Sequence, residues 1–221
     1  MNKEFSIKKD KMINEMKIWI TVSAILAVVF YLLHDIIGAM NYPGYKWTEQ
    51  AVSDLTAVDA PSRGIANSLT KIHGIFCCLC YAFICVLAKS QRKAMKTGLY
   101  LLTAMHATSA IGYSLFPLTS SGYDGTVQSF IHVYVLTAVV VLLSISSMTL
   151  IAIGCFKDNR KALGITTIVA LVLMASGPIC MVLPKEVFGI FERFSTYSAV
   201  VFSGILGVFL YKETGLKSKL A

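Results

Sequence analysis

The chain has 221 residues, of which 56% are hydrophobic and 14% charged, with a formal net charge of +8. A soluble domain carries about a quarter charged residues, so this composition argues against one. It also argues against nucleic-acid binding, because no basic stripe is interleaved with exposed aromatic residues.

Residues 1–17 form a basic segment in which Phe5, Ile7, Met12, Ile13 and Met16 sit among lysines, as in an interfacial helix. The first apolar run follows. It is too long for a signal-peptide core and ends without a small-x-small site, so it is expected to stay in the mature chain. Six runs are long enough to cross a bilayer, which takes roughly 20 helical residues: 18–40, 71–88, 97–117, 130–156, 162–183 and 188–211. Together, residues 18–211 read as one membrane domain, an all-α bundle of six transmembrane helices, with 212–221 as a short tail.

Lysine and arginine set the expected orientation. Fifteen fall in the N-terminal segment, the second loop, the fourth loop and the C-terminal tail, and five fall on the other side. By the positive-inside rule both termini are expected to be cytoplasmic, in a multi-pass protein of the plasma membrane. Six cysteines do not suggest a disulfide framework, since Cys77, Cys78, Cys80 and Cys85 all lie inside the second run. His73, Cys77 and Cys80 share a helical face there, a partial soft-metal pattern that packing explains better.

The first outer loop is longer than a plain connection. YPGY at 42–45 reads as a turn, with Pro43 fixing φ and Gly44 free to take positive φ. In WTEQAVSDLTAV, residues Trp47, Ala51, Val52, Leu55 and Val58 recur at helical spacing, which predicts a short amphipathic helix. Pro61 is expected to start the next helix. Residues 41–61 are therefore read as a lid lying on the outer surface, with Tyr42, Tyr45 and Trp47 among lipid headgroups.

Ionisable groups inside a membrane are costly and mark candidate sites. His34, Asp35, His73, His132, Glu192 and Arg193 come from four runs, yet all fall near the outer boundary when depth is counted at about 1.5 Å per residue. Gln50, Ser53 and Asp54 in the lid lie above them. His106 alone falls near the midplane.

Three readings stay open. The groups form structural ion pairs, with Arg193 satisfied by Asp35 or Glu192. Or they line an outer-leaflet pocket for a lipid headgroup or small polar molecule, with Arg193 gripping a phosphate or carboxylate. Or His34, His73, His132 and Asp35 hold a zinc ion that activates water in a lipid hydrolase. No cofactor is read directly from the sequence; zinc is the metal considered, because these ligand types suit it. No two of these histidines share a metal-binding spacing on one helix. A small transporter or a structural subunit of a membrane complex is a further class. The expected partner is membrane lipid, with no nucleic acid, and the residues set neither an enzymatic activity nor an oligomeric state.

YPGY at 42–45, QAVSDL at 50–55, AP at 60–61, FPL at 116–118 and FGIFERF at 188–194 resemble the domain of unknown function 998 family, polytopic membrane proteins of bacteria and archaea. The resemblance runs from about residue 18 to 211. It implies a six-helix membrane protein and brings no established activity.

Overall fold

The computed structural model describes the backbone of residues 3–219, and their side chains except those of 3–6, 9, 10, 180 and 213–219. Phe5 of the basic segment, Lys3, Lys9, Lys217 and Lys219 among the counted basic residues and Cys180 among the six cysteines thus have side chains outside the described residues, as does most of the 212–221 tail.

Every described element is helical. In chain order they are α1 (Lys3–Met40), a five-residue 3₁₀ turn (Val52–Thr56), α2 (Arg63–Ala88) and α3 (Lys93–Leu115). Then come α4 (Val127–Phe130), a π-helical turn (Ile131–Leu136), α5 (Thr137–Lys157), α6 (Lys161–Met174), α7 (Ser176–Cys180) and α8 (Lys185–Lys219). The segment from α4 through the π turn to α5 runs as one rod, Val127–Lys157. Helices α6 and α7 form another rod, interrupted at Ala175. Pro178 explains the interruption: it has no N–H to give the Met174 carbonyl four residues earlier. The Ser195 hydroxyl on α8 donates to that carbonyl instead, at 2.8 Å, which is how a broken backbone bond is repaired where water is scarce.

The rods are arranged as a ring in chain order. α1 packs on α2, α2 on α3, α3 on α5, α5 on α6, α6 on α8, and α8 closes back onto α1. One apolar cluster fills the centre, with Ile20, Tyr81, Ile84, Leu99, Leu102, Met148, Ile151, Phe202 and Leu206 almost wholly buried. Close approach of α3 and α5 depends on Gly98, where a Cβ would lie 2.9 Å from the Ile151 backbone nitrogen.

Five of the rods are long and apolar enough to cross a membrane: Lys11–Met40, Arg63–Ala88, Val127–Lys157, Lys161–Ile179 and Lys185–Lys212. Helix α3 is not among them. Only 28% to 39% of the residues in their most apolar windows are buried within the protein. Much of the apolar surface therefore faces outward, including Trp19, Val29, Ile75, Leu142, Ile165 and Val172. Helices satisfy their own backbone groups, so this outward-facing surface suits lipid rather than water.

The lid departs from the expected amphipathic helix. The YPGY turn forms as read: Tyr45 N–H donates to the Tyr42 carbonyl at 3.1 Å, and Gly44 has φ +77°. Beyond it the chain makes turns and then the single 3₁₀ turn Val52–Thr56. Val52 and Leu55 point inward as the spacing suggested, but Asp54, expected on a polar face, is also buried. The reason is that only Gln50 N–H reaches a carbonyl four residues back, at 2.9 Å from Lys46, while other backbone groups of this segment bond within tight turns or to the side chains described below. Helix α2 starts at Arg63, two residues past Pro61, with the buried Ser62 hydroxyl donating to the Leu55 carbonyl at 2.8 Å.

Candidate functional site

Arg193 sits in the third turn of α8 and is 2% exposed; Asp35 sits near the C-terminal end of α1 and is fully buried. They form a two-pronged ion pair, Nε to Oδ2 at 2.8 Å and Nη2 to Oδ1 at 2.8 Å. Such fork-on-fork geometry is the strongest form of this contact. Asp35 Oδ2 also accepts from the Trp47 indole at 3.1 Å and from the Tyr197 hydroxyl.

The remaining donors of Arg193 hold the lid. Nη1 donates to the carbonyls of Trp47 (2.7 Å), Gln50 (2.9 Å) and Gly189 (3.1 Å). Nη2 donates to the Tyr45 hydroxyl at 2.7 Å, which in turn donates to the Ala51 carbonyl at 2.7 Å. The Trp47 ring covers the guanidinium face, 4.4 Å from its central carbon. Guanidinium carries five N–H groups, and this set of acceptors uses all of them.

The lid can come this close because position 189 is glycine. A Cβ there would lie 2.5 Å from the carbonyl oxygens of Trp47 and Gln50. Gly189 N–H donates to the Thr48 carbonyl at 2.8 Å. Glu192 accepts from Val52 N–H at 3.3 Å. Asp54 accepts from Ala51 N–H at 3.1 Å and from Gly122 N–H at 2.9 Å, and Gln50 donates to Ser121 Oγ at 3.0 Å. The loop between α3 and α4 is thus stitched to the lid. Burial raises the carboxyl of Asp54 above its ordinary range, against the opposing pull of its N–H partners and Arg193. Burial likewise raises the Tyr45 phenol. On the exposed edge, hydroxyls of Thr119 and Thr126 and the Thr126 N–H hold Asp124 low.

The predicted site residues therefore divide into three groups. Asp35, Arg193, Glu192, Gln50 and Asp54 share one hydrogen-bonded assembly. Ser53 sits beside it, half-buried, its carbonyl accepting the Thr56 hydroxyl at 3.0 Å. His34 and His73 flank the Tyr31 ring next to the assembly, with ring centroids 5.7 Å and 5.1 Å away. His73 donates Nδ1–H to the Ala27 carbonyl at 2.8 Å, leaving Nε2 facing Cys77 Sγ at 3.6 Å. His34 is 2% exposed and neither ring nitrogen has a partner in the protein.

His132 belongs elsewhere. It lies in the π turn, donates Nδ1–H to the Phe116 carbonyl at 2.7 Å and faces the Tyr113 ring. Depth counted along separate helices cannot tell which side of a ring a residue occupies. His106 packs in the core on Tyr81, with Nε2 3.3 Å from the Ser203 hydroxyl. Among the described residues no three His, Cys, Asp or Glu side chains are grouped to hold a metal ion, so the zinc ligand set His34, His73, His132 and Asp35 is not assembled.

Sequence reasoning missed Tyr197, Tyr31 and the bonding roles of Tyr45 and Trp47. Tyr197 carried a signal: it lies one turn beyond Arg193 on the same face of α8. The pairing of the α3–α4 loop through Ser121 and Gly122 carried none.

Long apolar rods with outward-facing aliphatic surface, closed by buried charge at one end, define a multi-pass helical membrane protein. The chain belongs to the family described as protein of unknown function DUF998, whose model matches residues 25–208. No curated protein and no solved structure matches it.

Proposed function

We propose that this is a six-span protein of a prokaryotic plasma membrane that recognises a lipid headgroup or small polar molecule at its outer face, described here with its lid latched. Helix α3 supplies the sixth span: its 23 residues extend about 34 Å, enough to cross the hydrocarbon layer. The fifteen-to-five division of basic residues supports an orientation with both termini inside and the lid outside.

The observation that carries the ligand reading is His34. A buried polar group without a partner costs about 1–3 kcal/mol. Here two such atoms sit on one ring, on the residue next to Asp35, the acid that pairs with the guanidinium at the centre of the lid's contacts. A neutral imidazole offers one donor and one acceptor, and a hydroxyl or headgroup amide entering below the lid would satisfy both. Arg193 has no donor to spare while the latch is closed, so ligand entry requires the lid to shift.

Trp47 reports on that shift, since the chain has two tryptophans and Trp19→Phe leaves one. In phosphatidylcholine nanodiscs, titration with phosphatidylglycerol, phosphatidylethanolamine or their free glycerophospho headgroups is expected to change Trp47 emission saturably for one of them. His34→Leu abolishes the change while the protein stays folded. A flat response to all of these probes, or an unchanged response in His34→Leu, overturns the reading.

A further inference from the structure

Helices α1 and α8 also meet far from the lid, and beside that contact a groove opens on the outward-facing surface. Thr21 Oγ1 donates to the Gly207 carbonyl at 3.1 Å, and a Cβ on Gly207 would lie 2.9 Å from the Ala24 Cβ. The neighbouring groove has a volume of about 470 Å³. Val28 and Gly204 form its floor, and Ile25, Val29, Val201 and Ile205 its rims. Gly204 keeps the floor open, since a Cβ there would reach within 3.2 Å of Val28 Cγ2. Lys212 is the one charged residue among those lining it, and it is exposed at the end remote from the lid.

We propose that this groove holds one acyl chain of an anionic phospholipid whose phosphate pairs with Lys212. Three features favour that occupant. From Val201 to Lys212 the helix rises about 16 Å, roughly half the hydrocarbon thickness, so the groove spans the depth of one leaflet. Its rims are β-branched residues, which hold a second helix at a distance, whereas helix pairs in membranes approach over small residues. Its charged end lies level with Trp19 and Tyr211, 58% and 49% exposed, amphipathic rings of the kind that sit among headgroups. The site is at the opposite end of α8 from Arg193 and does not depend on ligand binding beneath the lid.

The test is native mass spectrometry of the full chain released from nanodiscs of equal phosphatidylglycerol and phosphatidylcholine. One phosphatidylglycerol per chain is expected to survive release, at least tenfold in excess over phosphatidylcholine. Ile205→Trp, which fills the groove from its exposed rim, and Lys212→Glu are each expected to cut that retention at least tenfold. Lys212→Glu alters only the exposed end and so reads the proposal even if Ile205→Trp fails to fold. Equal retention of the two lipids, retention unchanged in Lys212→Glu, or a lipid-free dimer cross-linked through Val201→Cys overturns it.

Discussion

Helices α1 and α8 are fastened to each other at two places by opposite means. Near the lid, Asp35 and Arg193 meet as a buried ion pair surrounded by hydrogen bonds. Fourteen residues further along α8, Ala24 and Gly207 meet with hardly an atom between them, helped by one hydroxyl from Thr21. The first contact is directional and depends on every partner being present. The second is a matter of shape, and degrades by degrees. A protein that needed only to hold two helices together could use the second kind throughout, because buried ion pairs barely recover their desolvation cost. The ion pair adds something packing cannot: it also holds the lid, through carbonyls of Trp47 and Gln50.

Removing one charge is therefore expected to have the largest effect. Arg193→Ala strands Asp35 in the interior and frees the lid carbonyls; the loss is about 3–5 kcal/mol, read as a lowered unfolding midpoint in detergent. Replacing both partners, Asp35→Leu with Arg193→Leu, is expected to cost clearly less than Arg193→Ala, while Trp47 emission shifts toward that of an exposed ring. A double variant as unstable as the single one would mean that the carbonyl contacts, and not the ion pair, hold this end. At the packed contact, Gly207→Leu is expected to cost about 1–3 kcal/mol through overpacking, without moving the Trp47 signal. Thr21→Val removes one hydroxyl bond and is expected to cost about 0.6 kcal/mol.

The smallest effect expected is a pH response of the lid. Burial raises Asp54 above its value in the unfolded chain, so the folded state binds its proton more readily. The stability tied to this group is fully present below the ordinary carboxylate range and falls as pH rises through the raised value. Melting curves measured from pH 4 upward should show that step, and Asp54→Asn should flatten it. A step of opposite sign would mean that the N–H bonds from Ala51 and Gly122 outweigh burial.

Those same residues indicate how far the sequence could be read. The apolar runs gave the rods because a membrane helix writes its length directly into composition, and Arg193 with Asp35 stood out because charge is rare there. The early start of α2 was legible too: Pro61 signalled a helix running through polar residues into the second apolar run, and α2 begins two residues later, at Arg63. The lid was misread for a different reason. Trp47, Ala51, Val52, Leu55 and Val58 do have helical spacing, but spacing records which side chains turn inward and not where backbone groups find partners. Here those partners are the side chains of Arg193, Glu192 and Asp54 and the backbone of Gly189. His132 was grouped with His34 because both lie at one depth; its place against Phe116 and Tyr113 depends on which rods are neighbours, and depth is silent on that.

The chain-order ring has a consequence for how the protein is made. Each helix can settle against the one synthesised just before it, except the first, whose second neighbour is the last. Asp35 is therefore synthesised early and meets its counter-ion only once residue 193 has been made, and the segment after residue 41 cannot take its full set of partners until then. Closure of the ring, pairing of the acid and docking of the lid are accordingly one late event in biogenesis.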